Sequence, residues 1–422
     1  MIVYKFGGAS ISNVERIQKV IQIIENIEAG EKAVLVISAM GKTTNALEKV
    51  VDAFFQQKAT EALQLFEVIK QQHLTVAKYL LVKEYNTCYA RMIDIFTEVE
   101  WLLHDKPVRA YDYYYDQIVC CGELLSSTII HFFCKENGLN TQWIDIRDVL
   151  LTDNNFRDAG IIWDITAQKA QQAFLNNAHS IYITQGFIGA TTDNESTTLG
   201  REGSDFTAAI LGNVLEAKSV SIWKDVEGVM SADPKMFKEA VYIPELNYNE
   251  VIEMAYYGAQ VIHPKTIKPL QNKHIPLLVK CFLNPSLPGT IIHNAKHLHF
   301  PPIQILKDKQ VLITFQSLDF SFIGGQSIQD IYAFLNALKL IPNLIQFGAI
   351  SVQICLDDKA EKINELAMLA AEKFDVLVQK NLQLFTVRHY TAAILNAMNA
   401  EENVVLRQQT PITLQILKLQ KQ

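Results

Sequence analysis

The sequence has no apolar run long enough to cross a membrane and no segment that would direct it out of the cell. No stretch approaches the ~20 apolar residues that a membrane-spanning helix needs. Residues 2–6 already have a strand pattern, where a secretory signal would place a charged segment and then an apolar one. We therefore expect a cytoplasmic protein that does not contact a membrane.

Paired cysteines and an excess of positive charge are also absent. The six cysteines include no C-x-x-C pair, which predicts reduced, buried thiols. The formal net charge of −7 argues against a nucleic-acid-binding protein, which would have a basic domain. Without a basic patch, packing is a better prediction than base stacking for Tyr111, Tyr113, Tyr114 and Tyr115. With no cysteine or carboxylate beside them, a surface linker and not a metal site is predicted for His293, His297 and His299.

Apolar residues make up 49% of the sequence and follow the patterns of alternating strands and helices. Residues 2–6 and 33–38 predict strands, and between them apolar residues recur at helical spacing over residues 14–27. Ser12 and Glu15 have the spacing of a capping box, which predicts the start of that helix. Because the second strand is apolar throughout, we expect a parallel sheet buried on both faces.

A chain of 422 residues exceeds the size of a single core, so two or three domains are expected. We predict an α/β domain over residues 1–293, with a helical insertion at about 46–109, where glycines are few. Residues 294–302 predict a linker. In residues 303–422, strand and helix patterns predict one or two small ferredoxin-like α+β units, the second one trimmed.

Glycine-containing segments follow predicted strands, at the edge where open α/β sheets bind ligands. In the first, Gly7 and Gly8 would let backbone N–H groups approach phosphate oxygens, and Lys5 adds a positive charge. A tight turn explains these glycines equally well. The second, residues 38–45, contains Gly-Lys-Thr but is not a P-loop, because Val36 stands where that motif needs glycine.

A third glycine-containing segment, residues 197–205, combines an arginine with polar residues at the start of a predicted helix. Arg201 could clamp a carboxylate with two parallel hydrogen bonds. Ser204 and Asp205 suit the same site, and both also suit helix capping.

Six motifs in order resemble the aspartate kinases of the amino acid kinase superfamily. They are KFGGAS, VISAMGKTTNAL, CGELLSS, TTLGREGSDFTAA, IWKDVEGVMSADP and YYGAQVIHPKT. The resemblance implies an amino acid kinase fold, with an open, mainly parallel sheet between helices, followed by ferredoxin-like ACT regulatory domains. It also implies transfer of the ATP γ-phosphate to the β-carboxylate of L-aspartate, which gives 4-phospho-L-aspartate.

The same resemblance implies a role for each matching residue. The catalytic pair would be Lys5 and Asp205, with the aspartate orienting the lysine. Residues similar to the family's aspartate-binding set are Ser38, Thr44, Glu123, Arg201 and Ser204. Residues similar to its nucleotide-binding set are Lys5, Gly7, Gly8, Ser10, Lys224, Asp225, Met230, Lys235 and Gln260.

The residue types suit this chemistry. A carboxylate acceptor with a pKa near ~4 is already ionised at neutral pH, so no general base is required. The reaction instead needs neutralisation of the anions and in-line positioning. Mg²⁺ would be held mainly through the ATP phosphates and water, without a metal cage formed by the protein.

Several positions depart from the common family pattern. Glu202 stands where many relatives have glycine, and Gln260 stands where many have a lysine near the nucleotide. Lys224 replaces threonine or serine, Met230 an aromatic residue and Lys235 an arginine. Our hypothesis is that Lys224 partly replaces the charge missing at Gln260. His263 lies in a matching motif, but because the reaction needs no proton shuttle, a structural role is predicted for it.

The C-terminal region resembles paired ACT domains, where an amino-acid effector binds at a subunit interface. Residues 319–326 lie between a predicted strand and helix, at the matching place, so regulation by lysine or threonine and a homodimer are implied. We expect no homoserine dehydrogenase unit to follow. Two alternatives stay open. One is a related kinase acting on glutamate, N-acetylglutamate or carbamate, and the other is a non-catalytic amino-acid sensor.

Overall fold

The computed structural model describes residues 1–28, 30–175, 179–296 and 298–420, so His297 lies outside the described residues. The chain forms two compact units. The first unit comprises Met1–Val229, Tyr242–Ile252 and Gln260–Leu298. The second unit comprises Met230–Val241, Glu253–Ala259 and His299–Gln422, and so includes two short segments that precede the expected linker.

The described α-helices follow in chain order. They are α1 (Val14–Glu25), α2 (Thr43–Phe55), α3 (Ala59–Leu80), α4 (Tyr85–His104), α5 (Tyr111–Val119), α6 (Cys121–Glu136), α7 (Trp163–Leu175), α8 (Gly203–Val214), α9 (Tyr248–Tyr257), α10 (Pro264–Lys273), α11 (Gly325–Ala337), α12 (Ala360–Ala370) and α13 (Ala392–Asn399). The strands are β1 (Ile2–Phe6), β2 (Ala33–Ile37), β3 (Thr141–Trp143), β4 (Ile181–Gln185), β5 (Ile188–Ala190), β6 (Ser196–Thr198), β7 (Val220–Lys224), β8 (Val229–Met230), β9 (Tyr242–Ile243), β10 (Glu245–Asn247), β11 (Leu277–Cys281), β12 (Thr290–His293), β13 (Ile303–Ser317), β14 (Leu344–Phe347), β15 (Ser351–Asp357), β16 (Phe374–Arg388), β17 (Val404–Gln409) and β18 (Thr413–Leu419).

An eight-stranded sheet forms the centre of the first unit, in the order β10-β12-β11-β7-β1-β2-β4-β3. Every pair in it is parallel except β11 with β12. All five residues of β2 are completely buried, as its continuous apolar sequence predicts. Because four neighbouring strands run in the same direction, the residues that follow β1, β2, β4 and β7 emerge at one edge of the sheet.

The start of α1 differs from the sequence prediction. Asn13 caps the helix, with its side-chain oxygen accepting the N–H of Arg16 at 2.9 Å. Ser12 ends the preceding short 3₁₀ turn, so it is not available for the predicted capping box with Glu15. The prediction was wrong by one residue. The backbone turn after Gly8 determines where the helix begins, and the S-x-x-E spacing alone does not.

Three helices, α2 to α4, occupy the region where few glycines predicted a helical insertion. The next helical stretch, Tyr111–Glu136, is long and apolar enough to span a membrane. However, 89% of its most apolar window is buried within the protein. Burial of that kind is typical of a core helix, and α6 packs against β2, β3 and β4.

The second unit contains a six-stranded sheet in the order β14-β15-β13-β16-β18-β17, in which all neighbours are antiparallel. Its two longest strands, β13 and β16, have 15 residues each, whereas the apolar alternation typical of a strand extends only over residues 311–317 and 382–387 of the sequence. The polar residues before Val311 hid the first half of β13, in which a bulge between Lys307 and Gln310 preserves the pairing. The fold class is confirmed: a mainly parallel α/β unit followed by an antiparallel α+β region.

Candidate active site

A cleft of about 760 Å³ opens at the carboxyl edge of the parallel sheet, within the range of small-molecule sites. The residues after β1, β2, β4 and β7 line it, as do the first residues of α2 and α8. Both helix N-termini present backbone N–H groups and the positive end of a helix dipole to anions. The arrangement suits a ligand with several negative charges.

The first glycine segment lies in this cleft and requires glycine at one position. A Cβ atom on Gly8 would come within 2.7 Å of the carbonyl oxygen of Ala39 and 2.8 Å of that of Gly41. The loops after β1 and β2 are therefore in backbone contact, and the N–H of Gly41 donates to the Gly8 carbonyl at 3.0 Å. Gly7 and Ser10 also line the cleft, and the Ser10 hydroxyl donates to the Trp223 carbonyl at 3.2 Å.

Lys5 and Asp205, which both line the cleft, form a buried ion pair. The Lys5 Nζ lies 2.6 Å from Asp205 Oδ1, and the two side chains are 11% and 4% exposed. A second lysine, Lys224, approaches Asp205 Oδ2 at 3.8 Å and donates to the Val261 carbonyl at 2.7 Å. Burial raises the pKa of Asp205, but the charges of Lys5 and Lys224 outweigh it and hold the pKa below its ordinary value.

Glu123, in the first turn of α6, is a carboxyl group with only one satisfied oxygen. Its Oε1 accepts the N–H of Ala39 at 3.1 Å, whereas its buried Oε2 has no partner among the described residues. Burial raises its pKa to about 8, although the Ala39 hydrogen bond and the Lys5 charge act in the opposite direction. A cationic ligand group in the cleft would supply the missing partner.

The other residues predicted to bind aspartate also line the cleft: Ser38, Thr44, Arg201 and Ser204. So does Asp225, which was predicted to bind the nucleotide. Three predicted nucleotide-binding residues do not. The described residues that line the cleft do not include Met230, Lys235 or Gln260. Met230 and Lys235 belong to the second unit, and Gln260 begins the last segment of the first.

Glu202 has a structural contact that its sequence position did not reveal. Its backbone is left-handed, with φ of 54°, where glycine is favoured. Its Oε2 accepts the N–H of His263 at 2.9 Å, and the His263 ring in turn accepts the N–H of Lys265, which caps α10. Glu202 therefore links the loop before α8 to the loop before α10.

Other residues that line the cleft were not predicted as site residues. They include Glu48, Tyr115, Arg157, Phe187, Thr198 and Trp223. Tyr115 came from a tyrosine cluster for which only packing or interface contacts were predicted. Glu48 could have been found from helical spacing, since it lies four residues after Thr44 on the same face of α2. Arg157 lies outside the six motifs, so no signal in the sequence pointed to it.

Residues 1–281 match the model of the amino acid kinase family. Because the match covers well over half of the chain, the chain belongs to that family.

Among curated proteins, the chain is 35% identical over 296 residues to the bifunctional aspartokinase/homoserine dehydrogenase 2 of Arabidopsis thaliana. That alignment covers 69% of this chain and 32% of the relative, so the chain matches about a third of the length of such bifunctional relatives. It is 29% identical over 362 residues to lysine-sensitive aspartokinase 3 of Escherichia coli, covering 85% of this chain and 78% of that one.

Solved structures include two with the same fold over nearly the whole chain. Aspartokinase III of E. coli, in complex with aspartate and ADP, has a TM-score of 0.84 and 25% identity over 99% of this chain and 96% of its own. Aspartate kinase of Clostridium acetobutylicum has a TM-score of 0.77 and 20% identity over 99% and 96% of the two chains. The second likeness concerns the fold alone.

Proposed function

We propose that this protein is an aspartate kinase, which transfers the γ-phosphate of ATP to the β-carboxylate of L-aspartate. The observation that carries the proposal is the Lys5–Asp205 pair in one cleft with Glu123 and Arg201. Lys5 neutralises the transferring phosphoryl group, and Asp205 holds its ammonium in place. Arg201 binds an acceptor carboxylate, and the unpartnered oxygen of Glu123 receives the acceptor ammonium.

ATP is the proposed phosphoryl donor, and Mg²⁺ reaches the site mainly through its phosphates. Asp205 and Asp225 are two of the carboxylates that line the cleft. Two lysines already neutralise Asp205, so the protein offers Mg²⁺ few free anionic ligands there. When bound, the metal would neutralise charge that develops on the phosphate oxygens.

Lys224 is proposed to replace the positive charge missing at Gln260. Its ammonium lines the cleft beside Asp205, whereas Gln260 does not line the cleft. We expect Lys224→Thr to raise the KM for ATP about tenfold, as loss of one charge-assisted contact would. An unchanged KM for ATP would contradict the hypothesis. The matched control is Lys78→Thr, which alters an exposed lysine of α3 that is not among the described residues that line the cleft.

The domain roles follow from the same proposal. Residues 1–293 are assigned to catalysis, 294–302 to the linker and 303–422 to an ACT-like regulatory region. The E. coli enzyme also has a structure in complex with lysine and aspartate, which supports lysine as the effector to test first. A cytoplasmic homodimer that contacts neither nucleic acid nor membrane completes the proposal.

The decisive experiment traps acyl phosphate as hydroxamate, with ATP and Mg²⁺ and one of three acceptors. We expect a signal with L-aspartate and none with glutamate or N-acetylglutamate. A signal only with another acid would instead identify a related amino acid kinase. Amino-acid binding without turnover would identify a sensor.

A further inference from the structure

Three side chains that line the cleft have no part in the proposed phosphoryl transfer. The Arg157 guanidinium carbon lies 4.4 Å from the centre of the Tyr115 ring. The Tyr115 hydroxyl donates to Glu48 Oε1 at 3.0 Å. Arg157, Tyr115 and Glu48 thus form a continuous row from a cation through an aromatic ring to an anion, which we call the polar row.

The backbone of Arg157 is fixed by a buried carboxylate. Its φ of 69° is left-handed, a conformation that costs an arginine more than a glycine. Its N–H donates to Asp116 Oδ2 at 3.0 Å, and Asp116 also accepts the backbone N–H and hydroxyl of Thr198 at 2.8 and 2.7 Å. Asp116 is completely buried. Arg157 is therefore held at the cleft wall by internal contacts, although its side chain is 45% exposed.

Glu48 places one end of the polar row beside Thr44, which the proposed function assigns to the acceptor. Glu48 is four residues after Thr44 on α2, so both side chains are on one face of that helix, and both line the cleft. The phosphate end of the cleft is marked by Lys5 and Gly7, which belong to β1 and the loop after it. A ligand group that contacts Thr44 is thus close to Glu48 as well.

The charges of the polar row complement an α-amino acid, which carries an ammonium and a carboxylate at neutral pH. Arginine stacked on an aromatic ring keeps its in-plane N–H groups for a carboxylate. The Arg157 guanidinium pairs with Asp112 at 3.1 Å, but the Asp112 side chain is 55% exposed, and an ion pair of this kind is weak and exchangeable.

We propose that Arg157 is a second acceptor-binding arginine, which determines the preference of the cleft for a dicarboxylic amino acid. Tyr115 orients its guanidinium, and Glu48 places a negative charge beside the acceptor ammonium. This inference rests on the proposed function and adds a residue to its acceptor site.

The test compares KM values for L-aspartate and for ATP. For Arg157→Ala we expect the KM for aspartate to rise at least tenfold and the KM for ATP to change less than twofold. Arg157→Lys, which keeps the charge and loses the planar fork, should give an intermediate rise and covers the case in which the alanine variant does not fold. Tyr115→Phe, which keeps the ring, should change the KM for aspartate less than threefold.

Arg109→Ala is the matched control. Arg109 lies 4.2 Å from the Tyr113 ring and pairs with Glu195, yet it is not among the described residues that line the cleft. We expect its KM values to equal those of the wild type. A rise in the KM for aspartate as large as that of Arg157→Ala would overturn the inference.

Calorimetric titration with L-aspartate separates this inference from the proposed function. If the wild type binds aspartate but forms no acyl phosphate, the proposed function fails, and weaker binding by Arg157→Ala still supports the acceptor contact. If the wild type is active, and Arg157→Ala and Arg157→Lys both keep its affinity and its KM for aspartate, the inference alone fails. A wild type that binds no aspartate overturns both.

Discussion

In the first unit the charges proposed to act in catalysis are buried and paired within one chain, whereas in the second unit a single loop leaves three large apolar side chains at the surface. Lys5 and Asp205 are nearly inaccessible to solvent and contact each other. By contrast, Leu318, Phe320 and Phe322, in the loop before α11, are 60%, 74% and 81% exposed. We therefore propose that the catalytic chemistry is completed within one chain, and that a partner covers the apolar loop of the second unit.

The largest effect is expected at the buried ion pair. Lys5→Met should lower kcat about 10²–10³-fold, because the charge that stabilises the transferring phosphoryl group is lost. It should also cost about 3–5 kcal/mol of unfolding free energy, because Asp205 keeps a buried charge with only the more distant Lys224 as partner. Steady-state kinetics and urea denaturation measure the two effects.

The double variant Lys5→Met/Asp205→Asn is the control for that prediction. It removes both charges, so most of the lost stability should return while activity stays low. If Lys5→Met alone keeps normal activity, Lys5 is not the catalytic lysine. The buried ion pair of the first unit would then stabilise the fold without taking part in catalysis.

The exposed loop of the second unit gives the next largest effect. Phe320→Ser/Phe322→Ser should raise the dimer dissociation constant at least tenfold, since aromatic side chains dominate the energetics of interfaces. Analytical ultracentrifugation over a concentration series measures it. Trp101→Ser, which alters a side chain 73% exposed on α4 of the first unit, should leave assembly unchanged. A dimer that is unaffected by the double variant would show that this loop is not the interface.

Glu123 should make acceptor binding depend on pH. Since burial raises its pKa to about 8, the carboxyl group is mostly protonated at pH 7, and an acceptor ammonium would displace that proton. Calorimetry of L-aspartate binding in buffers of different ionisation enthalpy should therefore detect proton release. The affinity should rise from pH 6 to pH 8, and Glu123→Gln should abolish both effects. Binding without proton release by the wild type would contradict the role given to Glu123.

The same pKa has a consequence for stability. The folded-state pKa lies above the ordinary value of 4.5, so the folded protein binds the proton more tightly than the unfolded chain does. The contribution of Glu123 to stability is thus complete below pH 4.5 and is lost as pH rises through about 8. The Glu123→Gln variant should lack this decline.

The smallest effect is expected at Glu202. Glu202→Gly relieves a left-handed backbone that costs about 1 kcal/mol or more, and it loses one hydrogen bond to His263 worth about 1 kcal/mol. The two changes nearly cancel, so the unfolding free energy should move by less than about 1 kcal/mol. Glu202→Gln keeps an acceptor oxygen and isolates the effect of charge. A larger loss in the glycine variant would mean that the link to His263 holds the cleft loops together.

Much of the first unit could be predicted from the sequence, because the signals are local. The apolar run of β2, the strand of β1 and the glycines after it depend on neighbours in the chain. The motifs after β1, β2 and β7 follow neighbouring parallel strands, which place their carboxyl ends at one edge of the sheet. Glu123 instead comes from the start of α6, and the Arg201 segment follows β6 of a separate two-stranded sheet. Twelve of the fifteen residues proposed for the site line one cleft: Lys5, Gly7, Gly8, Ser10, Ser38, Thr44, Glu123, Arg201, Ser204, Asp205, Lys224 and Asp225. The exceptions are Met230, Lys235 and Gln260.

The sequence by itself determined the fold class, the order of the motifs and the residue types that bind anions, since these follow from periodicity and side-chain chemistry. Only the tertiary structure decided which distant residues meet. Asp116 fixes Arg157 across 41 residues, and Glu202 binds the His263 N–H across 61 residues. Burial, and with it the raised pKa of Glu123, likewise depends on the packing of α6 against the sheet. Contacts of this kind leave no repeating pattern along the chain, because they are set by the packed elements between the two partners.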